Sequence, residues 1–167
     1  MGYYGAPMIT SDHFRQVMGN FATGITIVTT RDSSGEPRGL TVNSFTSVSL
    51  DPVLVLVCFD KNLSSLQAFN DSKRFGISML SEDQEDVSRI FAKRDSDRPL
   101  SLYFEGKLGI PLIRNSIAVM ECETTVVYPG GDHFIFLGEV KHAEVLHPLH
   151  PLLYFRGKYR TLRDLTL

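Results

Sequence analysis

A chain of 167 residues with a formal net charge of −2 fits one domain and is long enough to bury a real hydrophobic core. The near-neutral balance argues against nucleic acid as a partner, because such binders carry a clustered basic excess. No run approaches the ~20 consecutive apolar residues of a membrane span, so no membrane partner is expected.

The first residues, Met1 to Pro7, lack the basic start and apolar core of a signal peptide, and Ala6 stands where a myristoylation signal wants Ser or Thr. A cytoplasmic protein is the expectation. Residues 1–10 read as a tail and 11–167 as the domain. Ser11 or Asp12 is placed to cap a first helix in which Phe14, Val17 and Met18 share one face, with Gly19 and Asn20 as its stop. Residues 24–30 are β-branched and predict a strand. Residues 32–37 then turn the chain back.

Residues 39–52 form an unusual run rich in Thr, Asn and Ser, ending in Asp51-Pro52 and passing into the apolar run 53–59. A strand with one wet face alternates apolar and polar residues, and this segment does not. Small hydroxyl and amide side chains let a planar ligand approach backbone N–H groups, so the pattern predicts a cavity wall on a rigid apolar floor.

Asn62 is placed to cap a short helix with Leu63, Leu66 and Phe69 facing inward, and residues 75–80 predict a strand. Ser81 and Gln84 form a capping box for a helix over 82–92, with four carboxylates near its positive end. Residues 93–111 read as a long surface segment. Residues 118–127 and 134–145 predict two long strands joined at 128–132, and 152–155 a last short one. Cys58 and Cys122 lie in apolar runs, without the spacing of a zinc site, and are expected reduced and buried. His13, His142, His147 and His150 lack ligand-like spacing with carboxylates, so no metal is expected. Many strands, few helices and no β-α-β alternation predict a mainly β fold, a barrel with helical decorations.

Four segments, in order, carry a family likeness: Phe-Ala-Thr-Gly-Ile-Thr-Ile-Val-Thr-Thr at 21–30, the run 39–52, Gly-Asp-His-Phe-Ile-Phe-Leu-Gly-Glu-Val at 131–140, and Leu-Tyr-Phe-Arg-Gly-Lys-Tyr at 153–159. Across roughly residues 12–162 the chain resembles the flavin reductases that serve two-component flavin monooxygenases. The resemblance implies a homodimeric, six-stranded, Greek-key FMN-binding split barrel. It also implies that FMN or FAD is reduced by NADH or NADPH and passed to a separate oxygenase component. No Gly-x-Gly-x-x-Gly occurs, so the nicotinamide nucleotide rests on the resemblance alone.

The resemblance places Thr41, Val42, Asn43 and Ser44 along the isoalloxazine edge, where preorganised donors stabilise the negative charge that reduction creates. The competing reading is a solvent-exposed strand edge. Cys58, Phe59, Asp60, Lys61, Ser64 and Ser65 take a strand into a helix start whose position in the family favours the flavin phosphate. An ordinary Asn-capped helix explains the same residues, with Cys58 as packing.

His133 stands, by resemblance, beside the flavin as a contact to the nicotinamide, and otherwise is a histidine at a loop end. Arg156, Gly157 and Tyr159 belong to the last motif, and terminal strand packing also accounts for them. Lys93 and Arg94 could meet a nucleotide phosphate, but read first as a solvated loop charge pair. The rival function is a flavin- or haem-binding electron carrier of the same barrel without reductase turnover. An oxidase of the pyridoxamine phosphate type shares the barrel, but no basic cluster matching its substrate-phosphate site is legible.

Overall fold

The computed structural model describes residues 9–94 and 97–162, so most of the expected 1–10 tail lies outside the described residues. Helix α1 (Ser11–Met18) is capped by Thr10, one residue before the expected start. The Thr10 hydroxyl accepts from the His13 N–H at 3.2 Å, which satisfies one of the free donors at a helix start. Phe14, Val17 and Met18 do share a face, yet all three are exposed within the single chain.

The strands β1 (Thr23–Gly24), β2 (Thr26–Arg31), β3 (Pro37–Val42), β4 (Thr46–Leu50) and β5 (Val53–Asp60) follow. The polar run 39–52 is therefore two strands with a break at residues 43–45. Helix α2 (Leu66–Ser72) precedes β6 (Arg74–Met79), and its cap position is Ser65, not Asn62. Asn62 instead gives its N–H to the Asp60 carboxylate at 2.7 Å, closing a local turn that delays the helix.

The Ser81–Gln84 capping box is present, but the turn it opens is 3-10, and helix α3 runs from Glu85 to Ala92. The expected surface segment 93–111 contains a buried hairpin. Its strands are β7 (Tyr103–Glu105) and β8 (Pro111–Ile113), with Tyr103 and Ile110 in the interior. The long strands β9 (Ala118–Gly130) and β10 (His133–Val145) reach closer to their turn than expected. The chain then forms β11 (Leu153–Phe155) and β12 (Lys158–Arg160), the last not foreseen.

Seven strands, against the six expected, pair antiparallel in the order β3-β2-β6-β9-β10-β5-β4. The extra one is β4, which the break at 43–45 separates from β3. The neighbours β2–β6 and β5–β10 are distant in sequence, as Greek-key connections require. β3 and β4 are not paired to each other, yet Val42 of β3 and Val55 of β5 pack in one cluster with Phe59, Phe75, Cys122 and Phe136. The sheet thus wraps round its own apolar face as a split barrel.

Close approach is strict at Gly138, where an added Cβ would collide with the Phe75 ring. Glu121 is fully buried, and its carboxylate accepts the N–H groups of Lys107 and Leu108 at 2.9 and 2.8 Å. A second cluster, around Ile27, Leu80, Phe91 and Leu152, seats α3 against the outside of the sheet.

Candidate functional site

Two cavities meet the segment Thr41–Ser44. The first, of about 710 Å³, takes Asn43, Ser44 and Phe45 from the β3–β4 break and Phe21, Thr23 and Ile25 from around β1. Its wall is apolar over most of its area, with Asn43, Ser44, Thr23, Thr26 and Thr46 as its polar residues. Thr23 Oγ1 is buried in this wall without a hydrogen-bond partner among the described residues. The second cavity, of about 370 Å³, takes Thr41 and Leu40 from β3, Ser64 and Ser65 from the turn after β5, and Arg94 and Arg98 from the segment after α3.

Alternation along the strands sorts the expected site residues. Val42 and Phe59 point into the core and are 5% and 0% exposed, so neither side chain reaches a ligand. The Val42 carbonyl is also taken, accepting from Thr26 Oγ1 at 2.8 Å. Thr41, the neighbour of Val42, points outward, and its hydroxyl donates to the Ser88 carbonyl at 2.6 Å. Ser44 Oγ sits between the N–H and C=O of Cys58, 3.1 Å from each. That double bond fixes the 43–45 break against β5. Burial pushes the Cys58 thiol up, with the Ser44 hydrogen bond opposing, so it is the ordinary packed thiol and not an activated one.

Asp60 lines the second cavity. Lys61 does not: its N–H goes to the Asp132 carbonyl at 3.0 Å, and its ammonium lies 5.2 Å from the Phe134 ring centre. The helix start expected to face a phosphate is also short, since α2 has seven residues and begins after Ser65. The hydroxyls of Ser64 and Ser65 therefore count as individual donors.

His133 pairs in register with Asp60 at the end of β10, outside both cavities. Its Nδ1 lies 2.8 Å from Asp132 Oδ1, and that hydrogen bond, with the charge of His133, holds the Asp132 carboxyl below its usual range.

Arg156 and Gly157, with φ of 49° and 73°, form the two-residue turn between β11 and β12. Left-handed backbone at both turn positions is what such a hairpin needs, which accounts for the glycine. Arg156 Nε donates to Asn20 Oδ1 at 2.8 Å, tying this turn to the end of α1. Tyr159 packs on α3, with its hydroxyl 2.9 Å from Ser88 Oγ and Arg89 over its ring. Within one chain these three residues stand apart from both cavities.

Sequence reasoning missed Phe21, Thr23 and Arg98 as wall residues. The signal for Arg98 is three cations, Lys93, Arg94 and Arg98, spaced over six positions after an amphipathic helix. Among the described residues no group of His, Cys, Asp or Glu is placed to hold a metal, and no helix is long and apolar enough to cross a membrane.

The split barrel thus carries an apolar cavity and a smaller one lined by cations, both met by the segment Thr41–Ser44. Residues 18–163 match the family described as flavin reductase like domain. A probable flavin reductase of Rhizobium meliloti is 43% identical over 150 residues, covering 89% of this chain and 48% of its own length. The reductase subunit of a flavin-dependent monooxygenase from Rhodococcus jostii is 37% identical over 159 residues, 95% of this chain and 81% of its own. The NADH:FAD oxidoreductase of Streptomyces globisporus, solved in complex with NAD and FAD fragments, has a TM-score of 0.86 at 39% identity, covering 95% of this chain and 98% of that one. The chain thus spans about half the length of the Rhizobium relative and most of the other two. It belongs to the flavin reductase like family.

Proposed function

We propose that this chain is an NAD(P)H:flavin oxidoreductase that reduces FMN or FAD and releases it to a separate oxygenase component. The observation that carries the reading is the segment Thr41–Ser44. It lines the basic cavity at Thr41 and the apolar cavity at Asn43 and Ser44, so one ligand can span both.

The residues present fit that group. The apolar wall of Phe21, Ile25 and Phe45 suits a ring face and excludes water. Asn43 and Ser44 would meet the polar ring edge, and Ser64, Ser65 and Arg94 the phosphate. Bound there, the flavin supplies a two-electron acceptor for hydride from a nicotinamide. Hydride transfer needs alignment more than acid–base help, so the residues act by positioning. His133 is the group we assign to the nicotinamide, with Asp132 orienting its ring through Nδ1. The domain from residue 11 to 167 is taken as the unit that carries this activity.

A homodimer is part of the proposal. Phe14, Val17, Met18 and Phe21 are 47–68% exposed, and Met18 and Phe21 also edge the larger cavity. A second copy would cover this face and close the cavity, and would bring Arg156, Gly157 and Tyr159 of one chain toward the site of the other. A cytoplasmic setting accords with two free thiols, Cys58 and Cys122.

The test mixes purified protein with FMN or FAD and NADH or NADPH and follows nicotinamide absorbance. Flavin-dependent loss of that absorbance is expected. Flavin binding without nicotinamide consumption would replace this reading with the electron-carrier alternative.

A further inference from the structure

The smaller cavity holds more cationic surface than hydroxyl donors to one phosphate require. Among its described lining residues are Lys93, Arg94 and Arg98, with Asp60 as the carboxylate. The donors come from two walls. Ser64 and Ser65 belong to the turn between β5 and α2, and the cations to the segment after α3. Arg94 Nη2 donates to the Asn62 carbonyl at 2.8 Å and so ties one wall to the other.

Arg98 is held as a fixed plate. Its guanidinium lies 5.2 Å from the Phe91 ring centre, and Nη2 donates to the Lys93 carbonyl at 3.2 Å. Its Nε is buried without a partner among the described residues. A guanidinium carries five N–H donors in a planar fork, the shape that meets two phosphate oxygens at once. The Phe91 contact and the bond to the Lys93 carbonyl restrain the guanidinium before any ligand arrives, which lowers the ordering cost of binding. A cavity of about 370 Å³ also has the size of sites that enclose part of an organic ligand, well beyond one phosphate group.

We propose that this cavity takes the diphosphate of a dinucleotide flavin, so that FAD is preferred to FMN, and that Arg98 makes the distinction. The proposal rests on the flavin reading above. The phosphate next to the sugar-alcohol chain meets Ser64 and Ser65, and the second phosphate meets the Arg98 fork.

The experiment titrates riboflavin, FMN and FAD by fluorescence, without nicotinamide, against the wild type, Arg98→Met and Arg98→Lys. The wild type is expected to bind FAD about tenfold more tightly than FMN. Arg98→Met should remove that preference and leave riboflavin affinity unchanged. Arg98→Lys, which restores charge without the fork, should recover only part of it. Equal wild-type affinity for FAD and FMN overturns the proposal and leaves the flavin reading standing. An equal loss for all three flavins in both variants overturns it too. Failure of the wild type to bind any of the three would instead strike the flavin reading itself. Should Arg98→Met fail to fold, the wild-type ranking and Arg98→Lys decide.

Discussion

Val42 and Phe59 sit beside Thr41 and Cys58 in the same strands, yet the two pairs do opposite work. The first pair is sealed in the barrel with Phe69 and Phe136. The second faces the outer layer, where Thr41 lines the basic cavity and the Cys58 backbone holds Ser44. A displacement of one residue along a strand reverses the side chain's face, so a motif shared by a family is half scaffold and half site. Substitutions at neighbouring positions should therefore fail in different ways.

The contrast is sharpest at Phe59, whose ring centre lies 4.5 Å from that of Phe69 and 4.9 Å from that of Phe136. Phe59→Ala should cost ~3–5 kcal/mol of stability by urea denaturation, while the folded fraction keeps its flavin affinity. A cost under about 1 kcal/mol would mean that the ring is not a core element. His133→Ala should behave in the reverse way. Turnover with NADH should fall by up to ~100-fold through misalignment, with an unchanged thermal midpoint. Wild-type kinetics in that variant would remove His133 from the site.

The two thiols extend the comparison to pH. Burial, with the nearby Glu121 carboxylate adding to it, pushes the Cys122 thiol up to about 12 from 9.0. The folded state then holds its proton more tightly than the unfolded chain does. That share of stability is intact below the unfolded value and drains away as pH rises from about 9 toward 12, by at most about 1.4 kcal/mol per pH unit. Urea midpoints over this range should fall less steeply for Cys122→Ala than for the wild type. Parallel slopes would sink the idea.

The mildest change is Ser44→Ala. It deletes the hydroxyl between the Cys58 N–H and C=O, and flavin affinity should drop by ~0.5–1.5 kcal/mol with native circular dichroism. Unchanged affinity would make the 43–45 break a matter of fold alone.

Much of the scaffold was legible, because 25–30 and 53–59 are runs of β-branched and apolar residues, 134–137 opens a third, and the Ser81–Gln84 box is a local signal. The hairpin that buries Tyr103, Leu112 and Ile113 was hidden. Its strands have three residues each, too short for a period, and charges and glycines surround them. Thr10 was missed as a cap since Ser11 and Asp12, equally suitable, follow it. Asn62 was overvalued because Asp60 claims its N–H in a turn that no helix pattern reveals.

At the site, the polar run was visible as a wall from its composition. Which of its residues turn inward depended on register with β2, a tertiary fact. The cation spacing over 93–98 hinted at Arg98, but its place beside Ser64 in one cavity is a tertiary fact.

The collision that any Cβ at Gly138 would make with the Phe75 ring sets a rule for how this barrel can vary over generations. The two positions lie on β10 and β6, separated by β9, and share one small volume in the interior. Neither can change far unless the other changes with it. A library that randomises both together should return glycine wherever the aromatic ring survives, and alanine only beside a shorter aliphatic side chain. Such linked drift would ride along with the barrel while leaving the cavity walls free to diverge toward other ligands.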